Sequence, residues 1–392
     1  MTATTDTIPK GYKQTEVGLI PEDWDVKKLG DIGDSIIGLT YSPHDVVGYG
    51  TLVYRSSNIQ NNKLSYNDNV YVDKVINEKL ILKENDILIC VRNGSRDLIG
   101  KSALIKGKAV GETFGAFMSV FRSDECQPFI FYLILSNLVQ RQINQSLGAT
   151  INQIINKTLN NFQIPYPPKP EEQTAIAATL SDVDALVEKL EKLINKKKDV
   201  KQGVMQELLT GKRRLPGFSG EWNLKKLDQV LKVRHGKSQR NVIAINGKYP
   251  ILATGGEIGR TNEYLYDKPS VLIGRKGTID IPQYMDTPFW TVDTLFYTEI
   301  DNSNDAKFIF YKFQLIDWYS YNEASGVPSL NAKTIERIET HFPPAKPEQA
   351  AIANILSDMD NEINKLESQL AKYQNIKQGM MQTLLTGKIR LI

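Results

Sequence analysis

The most regular pattern along the chain is a stripe of apolar residues that recurs on alternating steps of three and four. It occurs twice, in residues 172–215 and 348–391, and predicts two long helices that each carry a coiled-coil seam. Each helix has about 38 residues and is therefore about 57 Å long at 1.5 Å per residue. The predicted seam residues are Ile176, Leu180, Val183, Val187, Leu190, Ile194, Ile352, Leu356, Met359, Ile363, Leu366 and Leu370.

The two striped stretches are copies of one another. They align without a gap at an offset of 176, and 25 of 44 positions are identical. Two such helices in one chain favour mutual pairing, although each stripe alone would also suit a helix packed on its own domain. Lys197, Lys201 and Lys377 interrupt the stripe. The lysine-rich run 195–201 is interpreted as a solvated face, with a contact to a partner or a phosphate as the alternative.

The segments ahead of the helices carry short strand-like runs separated by turns, and one longer apolar run at helical spacing (128–148 and 306–326). A weaker repeat opens them, because Trp24 begins WDVKKLGDI and Trp222 begins WNLKKLDQV. Both segments are long enough to bury a core of mixed α and β structure.

These patterns divide the chain into five parts. Prolines end each globular segment and precede each helix. Residues 11–23 and the C-terminal residues together resemble the linker after the first helix (212–221), so we expect the two ends of the chain to lie close together. The parts are an N-terminal segment (1–23), a first globular segment (24–168), a central helix (169–211), a linker with the second globular segment (212–344) and a C-terminal helix (345–392).

One loop motif occurs in both globular segments. An apolar strand runs into Arg-x-Gly-Ser/Thr, with Arg92 in the first segment and Arg275 in the second. Glycine permits a tight turn, and the polar groups are ligands for phosphates and base edges. The alternative is a surface β-turn with incidental polar residues.

Charge changes this picture locally. The formal net charge is only +3, but residues 212–248 hold ten Lys or Arg against two acidic residues, and residues 83–108 hold six against three. Such patches suit a phosphate backbone. A basic rim that docks an acidic protein is the alternative.

Several classes of chemistry lack their sequence signals. Two cysteines and three scattered histidines cannot form a disulfide framework or a four-ligand zinc site. We find no phosphate-binding loop, dinucleotide motif or catalytic constellation, although carboxylates near a lysine in PEDWDVK (21–27) leave a nuclease as a remote alternative. No apolar run reaches membrane-spanning length and no signal-peptide core is present, so a cytoplasmic protein is expected.

Together these motifs identify a family resemblance. The chain resembles the specificity (S) subunit of Type I restriction–modification systems over essentially its whole length. The resemblance is carried by residues 11–31 (GYKQTEVGLIPEDWDVKKLGD), by the EQ…AIA…LSD starts and KQG…LLTGK…RL ends of both helices, and by pieces of the globular segments. These pieces are RSSNI (55–59), RNGS…GKSALI (92–105) and GRKGT (274–278).

The resemblance implies a fold and a role. It implies an α+β protein in which two mixed α/β target recognition domains are separated by two long antiparallel, coiled-coil-like helices, with an internal pseudo-two-fold repeat. Each domain would read half of an asymmetric bipartite site in double-stranded DNA. Two methyltransferase (modification) subunits would dock on this scaffold and restriction subunits would join them. The chain would have no activity or cofactor of its own, because S-adenosylmethionine, ATP and Mg²⁺ belong to the partners.

The loops and basic patches supply the candidate DNA contacts. An adaptor with degenerate recognition domains, whose basic patches bind acidic proteins, is the competing hypothesis. The candidates are Arg55, Ser57, Asn58, Arg92, Asn93, Ser95, Arg96 and Lys101 in the first segment, and Arg234, Lys237, Gln239, Arg240, Thr254, Arg260, Arg275, Lys276 and Thr278 in the second.

Overall fold

The computed structural model describes residues 8–148 and 152–392, and the chain divides into two compact units. Unit 1 comprises Met1–Lys189 and Leu370–Ile392, and unit 2 comprises Leu190–Gln369. Each unit therefore combines one globular segment with a part of each long helix. The expected α+β fold with two long helices and an internal repeat is confirmed.

Unit 1 is built on two four-stranded sheets. The main sheet is antiparallel with the strand order β11-β10-β13-β4, and the second has the order β12-β6-β9-β5 with β12 parallel to β6. The strands are β1 (Tyr12–Thr15), β2 (Gly18–Pro21), β3 (Asp25–Lys28), β4 (Asp34–Ile37), β5 (Val46–Val47), β6 (Thr51–Tyr54), β7 (Ile59–Gln60), β8 (Lys63–Leu64), β9 (Tyr71–Val72), β10 (Ile87–Cys90), β11 (Ser102–Leu104), β12 (Thr113–Phe114), β13 (Met118–Arg122) and β14 (Gln163–Tyr166).

The core of unit 1 surrounds β10, whose four residues are all fully buried. The apolar run 128–148 forms two helices rather than one, because the chain turns at Ser136 in an extended conformation. The helices that begin in unit 1 are α1 (Gln127–Leu135), α2 (Asn137–Ser146), α3 (Asn156–Asn160) and α4 (Pro170–Leu208).

Unit 2 repeats this topology with fewer strands. Its main sheet has the order β16-β22-β19-β20, and a smaller sheet has the order β18-β17-β21 with β17 parallel to β21. The elements are β15 (Asn223–Lys226), β16 (Leu231–His235), β17 (Tyr249–Ala253), β18 (Gly256–Thr261), β19 (Ser270–Gly274), β20 (Gln283–Met285), β21 (Trp290–Thr291), β22 (Leu295–Ile300), α5 (Ala306–Gln314), α6 (Ala332–Glu336), β23 (Glu339–Phe342) and α7 (Lys346–Leu384).

The two long helices, α4 and α7, have 39 residues each. In unit 1 the beginning of α4 shares a core with the end of α7, through Leu180 and Leu384 among others. In unit 2 the end of α4 shares a core with the beginning of α7, through Leu208 and Ile352 among others. The pairing is therefore antiparallel within each unit, and all twelve predicted seam residues are buried or half-buried.

The lysines that interrupt the seam are held by carboxylates of the opposite helix. In unit 1 the Lys377 Nζ lies 2.5 Å from Asp184 Oδ1, and the Tyr132 hydroxyl donates to Asp184 Oδ2 at 2.8 Å. Each oxygen of the Asp184 carboxylate thus has one partner, Lys377 from α7 and Tyr132 from α1. We call this arrangement the Tyr–Asp–Lys triad of unit 1.

Unit 2 contains the same triad. Lys201 Nζ lies 2.5 Å from Asp360 Oδ1, and the Tyr311 hydroxyl donates to Asp360 Oδ2 at 2.8 Å. Burial, reinforced by Asp360, raises the pKa of Tyr311 well above its ordinary value, so the phenol stays protonated as the donor. The interrupted stripe is therefore a sequence signal for an interhelical ion pair, not for a solvated face at Lys201.

The expectation that the two ends of the chain lie close together is confirmed within unit 1. The Arg390 guanidinium binds Glu172, with Nη2 2.8 Å from Oε2, and binds Asp23, with Nη1 2.9 Å from Oδ1. The Trp24 indole donates to the same Glu172 carboxylate at 3.3 Å. The hydrogen bonds from Arg390 lower the pKa of Asp23, so this carboxylate of the PEDWDVK segment has a structural partner.

Candidate nucleic-acid interface

Three loops meet at the carboxyl end of the buried strand β10. Asn93 Nδ2 donates to Ser56 Oγ at 3.0 Å, which ties the loop after β10 to the loop after β6. The Asn93 backbone N–H donates to the Asn152 carbonyl, and the Asn152 side chain returns a 3.0 Å hydrogen bond to the Gly94 carbonyl. We call this set the unit 1 loop cluster, and it comprises residues 55–58, 91–96, 117 and 152–154.

Arg92 is exposed and is the most prominent cation of this cluster. Its guanidinium carbon lies 5.0 Å from the centroid of the Phe117 ring, a cation–π contact. The backbone N–H groups of Val91 and Arg92 both donate to the Phe117 carbonyl at 3.1 Å. These hydrogen bonds fix Arg92 and Phe117 side by side. Phe117 was not predicted as a site residue, because an aromatic beside a strand is indistinguishable from a core residue by pattern alone.

The neighbouring candidate residues differ in their exposure to solvent and in their hydrogen bonds to the protein. Arg96 is exposed and donates to the Asn144 carbonyl at 2.8 Å, so its guanidinium is partly committed to the protein. Ser95 is exposed, whereas Lys101 is half-buried. The structure therefore brings Arg92, Asn93 and Ser95 together in one turn, with Arg96 at its far side.

The loop after β6 has a mainly structural role. Asn58 is fully buried, and its Nδ2 donates to the Ser65 carbonyl at 3.1 Å while its Oδ1 accepts from the Arg55 backbone N–H at 2.9 Å. This corrects the expectation that Asn58 contacts DNA, because its amide is enclosed and already paired. Arg55 forms a 2.8 Å ion pair with Asp68, and Ser57 is half-buried beside it.

Unit 2 contains a loop cluster with the same backbone frame at the end of β19. The N–H groups of Arg275 and Lys276 both donate to the Thr294 carbonyl, at 2.8 and 3.3 Å. The Gly277 N–H donates to the Pro328 carbonyl at 2.9 Å. Gly277 has a φ of 87°, which an L side chain would adopt only with strain. We call this the unit 2 loop cluster, and it comprises residues 275–278, 294 and 328–330.

The two frames repeat the same backbone hydrogen bonds, and this pattern corrects one match made from the sequence. Val91 and Arg92 share the Phe117 carbonyl as Arg275 and Lys276 share the Thr294 carbonyl. Arg92 is therefore equivalent to Lys276, and not to Arg275 as the Arg-x-Gly-Ser/Thr motif suggested. Accordingly Lys276 is exposed, whereas Arg275 is half-buried and its guanidinium donates to the Asp293 carbonyl at 3.3 Å.

Two of the predicted cations in unit 2 are paired with carboxylates. Arg234, on β16, lies 2.7 Å from Glu299, and this hydrogen bond raises the pKa of Arg234. Arg260, on β18, lies 3.0 Å from Glu257. Both pairs are solvent-exposed, so a phosphate could replace the carboxylate at small cost.

The remaining candidates of unit 2 lie in loops. Lys237 and Arg240 are exposed in the segment after β16, and Gln239 between them is half-buried. Thr254 is half-buried in the turn between β17 and β18, and Thr278 is half-buried in the unit 2 loop cluster. Whether any of these side chains touches DNA stays a prediction.

Reactive and metal-binding chemistry is sparse among the residues that the structure describes. No group of three or more His, Cys, Asp or Glu side chains there could hold a metal ion. The Cys90 thiol lies within β10, where burial raises its pKa to about 11 and disfavours the nucleophilic thiolate. Within residues 8–148 and 152–392, no helix combines the length and apolarity that a bilayer crossing requires.

Comparisons with known proteins agree on one family. The model of the Type I restriction modification DNA specificity domain matches residues 21–199 and again residues 219–377. The putative type I restriction enzyme MjaX specificity subunit of Methanocaldococcus jannaschii is 29% identical, over 97% of each chain.

Two solved structures are similar in fold. The Type I restriction–modification S subunit of M. genitalium has a TM-score of 0.65 at 18% identity, over 92% of this chain and 96% of that one. A chain from a study of complex assembly and conformational transition of the type I R-M system has a TM-score of 0.57 at 16% identity, over 94% and 99%.

Proposed function

We propose, on the premise that this chain belongs to the family of Type I restriction modification DNA specificity domains, that its two loop clusters read the two halves of an interrupted DNA site. The chain is a DNA specificity subunit with two recognition domains. One observation carries the assignment of the clusters. Their backbone hydrogen bonds are the same, yet the side chains differ, with the exposed Arg92 and Phe117 on one frame and the exposed Lys276 and half-buried Thr294 on the other.

A shared frame with different side chains is suited to reading two different sequences. Backbone hydrogen bonds hold each turn rigidly, so the side chains on it can be exchanged without refolding the domain. Because the two sets differ, the half-sites differ and the complete site is asymmetric. The long helices hold the two readers in one chain, in the way that a dimer holds two half-site readers.

The chain works together with DNA and methyltransferase subunits. In our proposal two methyltransferase subunits bind one copy of this chain, and restriction subunits join the complex. The chain itself catalyses no reaction. S-adenosylmethionine, ATP and Mg²⁺ are bound by the partners, and the complex acts in the cytoplasm.

Methylome sequencing tests the proposal. Deleting the gene from a strain without other such subunits should erase one asymmetric, interrupted methylation motif from its genome. Re-expressing the chain should restore that motif and no other. Unchanged methylation in the deletion strain would refute the assignment.

The adaptor hypothesis has one observation in its favour, the pairing of Arg234 and Arg260 with carboxylates, which weakens the basic patch of unit 2. An adaptor would assemble with its partners but leave the complex unable to distinguish the methylated motif from a scrambled duplex. Equilibrium binding of the purified complex to both duplexes, at several salt concentrations, separates the two functions.

A further inference from the structure

Phe117 is an exposed aromatic on a rigid turn. It lies between β12 and β13, and 56% of it is exposed to solvent. The turn is fixed by hydrogen bonds from the Gly115 N–H to the Tyr54 carbonyl and from the Ala116 N–H to the Leu39 carbonyl, at 3.0 and 2.9 Å. The ring is therefore held out from the domain by a hydrogen-bonded backbone.

Folding of unit 1 does not explain this position. Burying a phenylalanine side chain contributes about 1.5–3 kcal/mol, and a ring that is mostly exposed forgoes much of that gain. The Phe114 ring, three residues earlier in β12, is fully buried in the core, whereas the turn that follows β12 holds Phe117 outside that core. The exposed ring is therefore available for burial by a partner.

The setting of the ring indicates which partner. It lies within the unit 1 loop cluster, against the exposed Arg92 guanidinium. A flat apolar ring next to a guanidinium matches the edge of a duplex, where an apolar base surface or thymine methyl lies beside a phosphate or a guanine edge. The cationic neighbour disfavours a purely apolar protein partner, which would have to desolvate the guanidinium.

We propose that Phe117 is a base-contacting specificity residue, whose ring packs on the apolar surface of the bases in the half-site that unit 1 reads. This proposal rests on the proposed function of the chain. The equivalent position in unit 2 is Thr294, which has no ring, so the contact belongs to one half-site only. It adds an apolar reader to a cluster whose sequence-predicted members are all polar.

The test uses the purified complex of the full-length chain with its methyltransferase partner. The probes are the cognate duplex, a duplex altered in the first half-site, and a duplex altered in the second. Phe117→Ala should weaken binding to the cognate duplex roughly tenfold and should reduce discrimination against the first altered duplex alone. Phe117→Leu, which keeps apolar volume, should fall between Phe117→Ala and the unaltered chain.

The dependence on salt distinguishes the ring from the charge beside it. Removing a neutral ring releases no counterion, so Phe117→Ala should leave the slope of log K against log salt unchanged. Thr294→Ala, at the equivalent position of unit 2, and Tyr49→Leu, at another exposed aromatic of unit 1, serve as matched controls. Neither should alter discrimination at the first half-site.

Each outcome has a distinct meaning. Unchanged discrimination in Phe117→Ala, with normal assembly and thermal unfolding, would overturn the inference. Loss of assembly with the methyltransferase in both Phe117 variants would also overturn it, since the ring would then contact a protein. Failure of the unaltered complex to discriminate between the duplexes would refute the proposed function itself.

Discussion

Lys312 shows how a single side chain can serve the fold at an electrostatic cost. It is almost fully buried on α5, and its Nζ donates to the Leu209 carbonyl at 3.0 Å and to the His341 carbonyl at 2.9 Å. Leu209 directly follows α4, so the ammonium satisfies a carbonyl at the end of that helix. Burial lowers the pKa of Lys312 to about 8, because no carboxylate among the described residues lies in an ion pair with it.

This lysine makes the stability of the protein depend on pH in a defined direction. Between pH 8 and pH 10.5 the unfolded lysine binds a proton that the folded lysine has released, so the free energy of unfolding rises with pH. Lys312→Met removes this contribution. Between pH 7.5 and 9.5 the unaltered chain should gain about 2 kcal/mol relative to Lys312→Met in urea unfolding. Parallel pH profiles of the two proteins would contradict the prediction.

The Tyr–Asp–Lys triads show how paired elements can define their own register. A lysine in a seam is costly unless an acid on the other helix meets it, and a one-heptad slip would leave both charges unpaired. The carboxylates are about one-third exposed and the lysines are less exposed, so the pairs are neither fully solvated nor fully dry. The same geometry in both units indicates a specified alignment of α4 with α7.

Removing one carboxylate should therefore destabilise one unit. Asp360→Ala leaves Lys201 half-buried without its acid and the Tyr311 hydroxyl without its acceptor, which should cost about 1–3 kcal/mol of unfolding free energy. Asp360→Asn keeps an acceptor for Tyr311 and should cost less. Chemical denaturation of both variants gives the comparison, with Glu362→Ala, which breaks an exposed pair with Lys197, as the matched control. If all three substitutions lowered the unfolding free energy equally, the triad would contribute no more to stability than an exposed ion pair.

For the long helices, the sequence predicted the period of the apolar residues but not which carboxylates pair with the seam lysines. The seam of α4 and α7 followed from the spacing of apolar residues, because a repeat of 3.5 residues keeps one face of each helix towards a partner helix. The partners of Lys201 and Lys377 could not be predicted, since Asp360 and Asp184 lie more than a hundred residues away and look like ordinary surface acids. Asn58 was misjudged for a similar reason, because amides are typical both of base contacts and of buried loop anchors.

Over the whole molecule, one domain architecture is used twice with different surfaces. The main sheets share the same strand order, and the loop clusters share the same backbone hydrogen bonds. The repeated helices were evident from the sequence, but the loops were matched with an error of one residue, because Arg275 and Lys276 are both basic and only the shared carbonyl acceptor distinguishes them. We therefore expect Lys276, which is equivalent to Arg92 by its backbone hydrogen bonds, to contact DNA, and not Arg275, which the sequence motif suggested.

Substitutions in the two clusters should act on separate half-sites. Arg92→Ala should relax the first half-site only, and Lys276→Ala the second only. Arg275→Ala, at the less exposed position, should have the smaller effect on the second half-site. The measurement is the affinity of the assembled complex for duplexes altered in one half. A direct base contact is worth about 1–3 kcal/mol, whereas a phosphate contact would weaken all sequences alike. If Arg92→Ala weakened discrimination at both half-sites equally, the hypothesis that each loop cluster reads one half-site would be wrong.

The terminal ion pairs have a consequence for biosynthesis. Unit 1 is discontinuous, because the 180 residues of unit 2 (Leu190–Gln369) are translated between its two parts. Until residues 370–392 emerge from the ribosome, Glu172 lacks Arg390 and the apolar residues Ile176 and Leu180 lack the end of α7. The domain whose synthesis starts first is thus completed second, and a prematurely terminated chain would expose its unfinished seam to cellular proteases.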